Sequence, residues 1–267
     1  MRTSPFGGPG SGHRVAIIDG VRTPFAKAGT LLKHLGVIEL GKLAVSELIH
    51  RTDLDPASID LLTFGTVIPS VLAPNPAREI ALMPLLPKGV QAWTVSRACA
   101  SANQAITDAA DQILLGHATV AIAGGAESLS NVPILHSRGF SDALVAASRA
   151  KTPMQRVQSL AAIRPKDLIP VTPAIAEPTT GETMGQSAEK MAKLNGITRE
   201  AQDALALASH HGAAQGTADG RLTAEILRSS RSADRARRSP PTTGSAPIPR
   251  QRSSRSSPRS SIARTAR

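Results

Sequence analysis

Between residues 61 and 123 the chain alternates three short apolar runs with two helical stretches, and no feature restricts its fold more. The runs cover residues 61–68, 92–95 and 119–123, each of strand length and too short for a helix. Residues 75–82 and 101–115 lie between them and carry helical signals. Upstream, residues 15–18 form a fourth strand-length run, and Leu40, Leu43, Ala44, Val45 and Leu48 place a helix over 38–49. Strands separated by helices predict crossover connections and a buried, mixed or parallel sheet, hence an α/β fold.

The punctuation agrees. Asn75-Pro76 reads as an N-cap followed by proline at the first helical position. Ile106, Ala109, Ala110, Ile113 and Leu114 share one stripe of the 101–115 helix, and Gly116 sits where that helix should stop. Gly124-Gly125 ends the third run. No G-x-G-x-x-G or G-K-[ST] follows, so a tight turn is favoured over a phosphate loop. After Ser130 the pattern loosens, and Pro165, Pro170, Pro173 and Pro178 mark an extended loop region. Two further helices are expected at 182–194 and 199–215, the second capped by Thr198 with Glu200 in its first turn.

Four zones follow: a flexible leader at 1–12, an α/β domain at 13–130, a loop domain at 131–227 and a tail at 228–267. The net charge of +11 belongs almost wholly to the tail, which holds eleven Arg, no Lys and one acid, Asp234. Its eleven Ser, five Pro and lack of aromatic residues give it no core to bury, so disorder is expected. Such a tail attracts phosphate backbones without sequence readout, and no specific nucleic-acid partner is expected. No apolar run reaches the roughly 18 to 20 residues of a membrane span, and the leader lacks a signal-peptide core. With one cysteine, no internal disulfide forms. A cytoplasmic location is the expectation.

That cysteine, Cys99, falls between the 92–95 strand and the 101–115 helix. A thiol there meets the positive end of a helix dipole and unpaired backbone N–H groups, which favour thiolate. Small neighbours (Ala98, Ala100, Ser101, Ala102) leave room for a substrate. A nucleophile and a buried small hydrophobe are both open readings of this residue alone. His210-His211 has no third ligand nearby and reads as a surface pair, not a metal site. Glu127 reads as a buried hydrogen-bonding acid. Residues 140–163 mix apolar and basic side chains, as a helix pair docking on a partner or membrane surface would, or as an ordinary packed loop domain.

The segment SRACASANQA at 96–105 resembles the acyl-enzyme cysteine motif of the thiolases. In the same order, RTPF at 22–25, NPAR at 75–78 and AGGAESLS at 123–130 resemble other segments of that family, as do MGQSAE at 184–189 and the 197–208 helix. Residues 151–177 are most similar to the degradative, fatty-acid β-oxidation branch, including β-subunits of multifunctional complexes. The resemblance covers roughly residues 13–227. It implies the thiolase layered α/β fold, here its N-terminal half plus an inserted loop domain.

The activity implied is acetyl-CoA acyl transfer. Cys99 attacks the keto carbonyl of a 3-ketoacyl-CoA, with its own backbone N–H as an oxyanion donor, and a second CoA takes the acyl group. CoA is then a substrate, with no permanently bound cofactor and no metal. Partners implied are acyl-CoA and CoA, a second copy in a homodimer, and a β-oxidation complex or membrane surface through residues 130–180. The family's later Gly-His-Pro and Cys-x-Gly motifs are absent from this sequence, and the strand closing its first half-sheet should lie just beyond Ile226. The tail reads as an out-of-frame stretch, with a truncated natural product and a genuine basic tail as the alternatives, and the chain is expected to be inactive alone. The alternatives are a β-ketoacyl synthase-like condensing enzyme, a non-catalytic thiolase remnant, and a basic nucleic-acid binder.

Overall fold

The computed structural model describes residues 14–171 and 176–227. The leader and tail expectations, and Pro173, lie outside the described residues. The centre is a three-stranded parallel sheet in the order β2-β1-β3, formed by β1 (Leu61–Gly65), β2 (Gln91–Val95) and β3 (Ala121–Gly125). Leu61 aligns with Gln91 on one side and Ala121 on the other, and Gly65 with Val95 and Gly125. β1 is buried along its whole length because a neighbour flanks each edge and a helical layer covers each face.

Alternation along β1 builds the two helical layers. Leu62 and Phe64 point to one face and join Val37, Val45 and Ile49 of α1 (Val37–Thr52) and Ala77 and Ile80 of α2 (Pro76–Ala81) in the main core. Thr63 and Gly65 point to the other face, against α3 (Ser101–Leu114). There the Thr63 hydroxyl, fully buried, donates to the Ala105 carbonyl at 2.8 Å. Helix–sheet–helix layering is what the strand–helix alternation predicts.

The cap at Asn75 forms as the sequence suggests. Its Oδ1 accepts the Arg78 N–H at 3.3 Å and the Thr94 hydroxyl at 2.8 Å, while Nδ2 donates to Ala92 O at 3.3 Å. One side chain thus starts α2 and ties it to β2. Gly116 ends α3 with φ +76°, a left-handed conformation that glycine adopts without strain. Asp60 joins the sheet's N-terminal ends. Its carboxylate accepts the Thr119 and Val120 N–H groups at 2.7 and 3.1 Å, which hold its pKa below the usual 3.8.

Two strand expectations change. Residues 15–18 form no strand: Ile17 and Ile18 are 85% and 84% exposed, and β3 is the last strand on that side of the sheet. A strand-length apolar run becomes a strand only when it pairs in register with a neighbour, and among the described residues this segment does not join the outer edge of β3. Here the adjoining Arg22 instead engages the chain's later end, donating its N–H to Glu225 O and accepting the Leu227 N–H. The 61–68 run stops at Gly65, because the Glu127 carboxylate takes the Val67 N–H at 2.7 Å and draws the chain out of the sheet.

The loop region also has regular elements. α4 (Arg138–Arg149) and α5 (Pro153–Ala161) pack together as a helix pair, with side-chain caps at Ser137 and Thr152. α6 (Met184–Leu194) and α7 (Arg199–Ala218) start at Thr183 and Thr198, whose hydroxyls accept the N–H three residues on. α8 (Arg221–Glu225) completes the described α-helices, and short 3-10 turns lie at Pro56–Ser58 and, within the stretch expected to be extended, at Pro165–Leu168. Apolar side chains on α5, α6 and α7, among them Met154, Met191, Leu194 and Leu205, are exposed. Among the described residues no helix is long and apolar enough to cross a membrane.

Candidate active site around Cys99

The site is built where three ends meet: the C-terminal ends of β1 and β3 and the N-terminus of α3. Parallel strands separated by crossover helices leave a crevice beyond their carboxyl ends, the usual place for a ligand in α/β sheets. Two glycines make the approach close enough. A Cβ on Gly65 would sit 2.5 Å from the Ala102 nitrogen, and one on Gly125 would sit 2.6 Å from the Gly65 oxygen. Both collisions are with backbone, so neither can be relieved by a rotamer change. Gly124 has open space instead. The Gly124-Gly125 pair therefore ends β3 within the sheet register, and the close approach concerns Gly125 alone.

Between β2 and α3 the chain makes a compact turn through residues 97–101. The Ala100 N–H donates to Arg97 O at 3.0 Å and the Ser101 N–H to Ala98 O at 3.1 Å. Ala98 has φ +45°, left-handed for a residue with a Cβ. Holding it there costs about 1–3 kcal/mol, which the surrounding bonds must offset. Cys99 follows at the outside of the turn and is exposed, so it is not serving as a small core residue. Ser101 is buried at 4% exposure, and its hydroxyl bonds back across the turn to Arg97 N and Ala98 O. On the outer side Arg97 Nη1 donates to Gln104 Oε1 at 2.7 Å, and Gln104 Nε2 to Asp108 Oδ1 at 2.6 Å.

Cys99 lines a cavity of about 760 Å³, shared with the 21–28 segment, one face of α1 and the end of β3. The RTPF segment and the AGGAESLS turn, far apart in sequence, both border it. Arg22 lies over the Phe25 ring at 5.1 Å and pairs with Glu225 at 3.1 Å. The turn after β3 is bound to the loop before α1: Ser128 Oγ donates to Leu35 O, and Asn131 Nδ2 to Lys33 O and Leu35 O. Glu127 is half-buried, not buried as expected, and accepts the Val67 N–H and the Thr66 hydroxyl, which fits a hydrogen-bonding structural acid.

His210 and His211 stand on α7, and among the described residues no group of three metal-ligating side chains converges. Sequence reasoning overlooked Ser101 and Gly65. Ser101 reads as one of several small neighbours of Cys99, and only the turn geometry reveals its two bonds. Gly65 looks like a residue inside a strand. Its position opposite the helix start could have been inferred from a glycine interrupting a strand-like run of Leu, Thr, Phe, Val and Ile.

The fold and this site define a layered α/β protein with a cysteine on a tight turn leading into a helix. Residues 15–239 match the thiolase N-terminal domain, and the chain belongs to that family. The matched range runs past Ile226, where the recognisable motifs stop. Over 216 residues the chain is 50% identical to a 3-ketoacyl-CoA thiolase of Aeromonas salmonicida, covering 81% of this chain and 50% of that one. A 3-ketoacyl-CoA thiolase of Pseudoalteromonas translucida is 48% identical over the same shares. Among solved structures, the acetyl-CoA acetyltransferase of Bacillus anthracis superposes with a TM-score of 0.61 at 29% identity, over 78% of this chain and 48% of that one. The Acat5 thiolase of Ascaris suum, in complex with coenzyme A, gives 0.63 at 28% identity, over 79% and 50%. This chain thus spans about half the length of the relatives it matches.

Proposed function

We propose that this chain carries the acyl-cysteine half of a thiolase-type reaction on 3-ketoacyl-CoA, in the degradative, fatty-acid β-oxidation branch. The observation that carries the reading is the exposed Cys99 on the turn into α3, bordering a cavity shared with two other family motifs. The relatives named as 3-ketoacyl-CoA thiolases support the branch. CoA is taken as substrate and nothing is held permanently.

In the proposed step the Cys99 sulfur attacks the keto carbonyl and the backbone N–H of Cys99 donates to the developing oxyanion. The bond between the α and keto carbons then breaks, leaving an acyl thioester on Cys99. The two-carbon fragment departs as the acetyl-CoA enolate and must take up a proton at its α carbon. The thiol of a second CoA then gives up its proton and attacks the acyl carbon, forming the shortened acyl-CoA, breaking the bond to Cys99 Sγ and, with one proton taken up, leaving Cys99 as the free thiol. Both proton transfers need positioned acid–base groups, each worth about 10²- to 10⁴-fold. The sequence holds neither Gly-His-Pro nor a second cysteine, so this chain alone acylates slowly and does not turn over.

Incubation with acetoacetyl-CoA followed by intact-mass analysis tests the reading. The expected result is an acetyl adduct on wild type and none on Cys99→Ser. No adduct, even when a polypeptide carrying the family's Gly-His-Pro and Cys-x-Gly segments is added, overturns it. Release of CO₂ from a malonyl donor would instead assign the condensing-enzyme alternative. Exposed Met154 and Val157 on α5 favour a docking role for residues 130–180 beside the chemistry. A homodimer acting in the cytoplasm completes the proposal.

A further inference from the structure

The turn that presents Cys99 is held by a side chain outside the reacting set. Ser101 is the first residue of α3, and that helix has no side-chain cap at its N-terminus. An ordinary capping serine bonds forward, to an N–H of the helix it starts. Ser101 bonds backward. Its Oγ accepts the Arg97 N–H at 2.8 Å and donates to the Ala98 carbonyl at 2.7 Å. The Ser101 N–H reaches the same carbonyl at 3.1 Å, so amide and hydroxyl of one residue converge on the peptide group preceding Cys99.

Those bonds fall where the backbone most needs them. Ala98, with φ +45°, relaxes toward negative φ unless its flanking groups are fixed. Relaxation would rotate the following residue, Cys99, away from the mouth of α3. Ser101 is 4% exposed, so water does not compete well for its hydroxyl, and its main chain is backed by Gly65. We propose that Ser101 is a positioning residue for Cys99: its hydroxyl keeps Ala98 left-handed and thereby holds the thiol at the uncapped N-terminus of α3. Its purpose rests on the acyl-cysteine reading; its test does not.

Cys99 is the chain's one cysteine, so alkylation reports on it alone. The measured quantity is the rate with iodoacetate divided by the rate with iodoacetamide at one pH. Thiolate fraction and general access cancel in that ratio. What remains is the preference for an anionic reagent, which the helix N-terminus raises only when the sulfur stays beside it. Ser101→Ala is expected to lower the ratio about two- to fivefold, and Ser101→Thr, which keeps the hydroxyl, to restore it. A wild-type ratio in Ser101→Ala overturns the assignment. If that variant does not fold, Ala98→Gly/Ser101→Ala is measured instead, since glycine takes φ +45° without strain. Because glycine needs no clamp at that φ, a ratio near wild type in the double variant supports the proposal, and a lowered ratio, or a double variant that still does not fold, overturns it. A wild-type chain that acetoacetyl-CoA fails to acylate, even with the complementing polypeptide present, refutes the acyl-cysteine reading but not this one, because the reagent ratio still decides the role of Ser101.

Discussion

Gly65→Ala places one methyl group at the junction of sheet, helix and turn, and its consequence can be worked from distances. The new Cβ would lie 2.5 Å from Ala102 N and 2.6 Å from Ser101 O. Comfortable contact needs about 3.5 Å, so β1 and the start of α3 must part by roughly 1 Å. Both obstacles are backbone, held by the Thr63–Ala105 bond one turn further on. Overpacking of this kind costs about 1–3 kcal/mol. For a chain of this size that lowers Tm by about 3–10 °C. The same displacement moves the Cys99 turn, and misplacement on that scale can reduce acyl transfer by about 100-fold. Gly124→Ala is the matched control: the site is one residue from Gly125 on the adjacent strand, yet a Cβ there meets nothing within 4 Å. It should change stability by less than about 0.5 kcal/mol. Thermal unfolding followed by circular dichroism compares the two. Equal melting temperatures for Gly65→Ala and Gly124→Ala would show that close approach does not fix the position of α3.

Three further outcomes are expected. Asn75→Ala removes the α2 cap and the link to Thr94 together, and denaturant titration should show a loss of about 1–2 kcal/mol; an effect below about 0.5 kcal/mol contradicts the double role. Leu62→Ala empties a fully buried site in the main core and should cost about 2–5 kcal/mol by the same titration. Asp60 has its pKa lowered in the folded state by the Thr119 and Val120 N–H groups, so its stabilising effect is complete above the unfolded value near 3.9 and lost as pH falls through the lowered one. The midpoint difference between wild type and Asp60→Asn should therefore be constant above about pH 5 and shrink toward pH 2; a difference that persists at pH 2 excludes this linkage.

The α/β layering, α1 to α3 and the helices expected at 182–194 and 199–215, found at 184–194 and 199–218, were legible in the sequence because each depends on local signals: apolar periodicity, Asn75-Pro76, Thr198, Gly116. The thiolase family was legible from ordered motifs, and Cys99 stood out by its place between a strand and a helix. Those properties belong to short stretches of chain and survive any arrangement of the rest. Tertiary structure decided what depends on partners distant in sequence. Residues 15–18 have the composition of a strand but pair with none of the described strands, because the adjoining Arg22 is bound to Glu225 and Leu227 instead. β1 stops at Gly65 because Glu127, sixty residues later than Val67, claims its N–H. Ser101 became a clamp through hydrogen-bond directions that residue type does not encode. A glycine's necessity at 65 but not at 124 came from whether another backbone lies a few ångströms away.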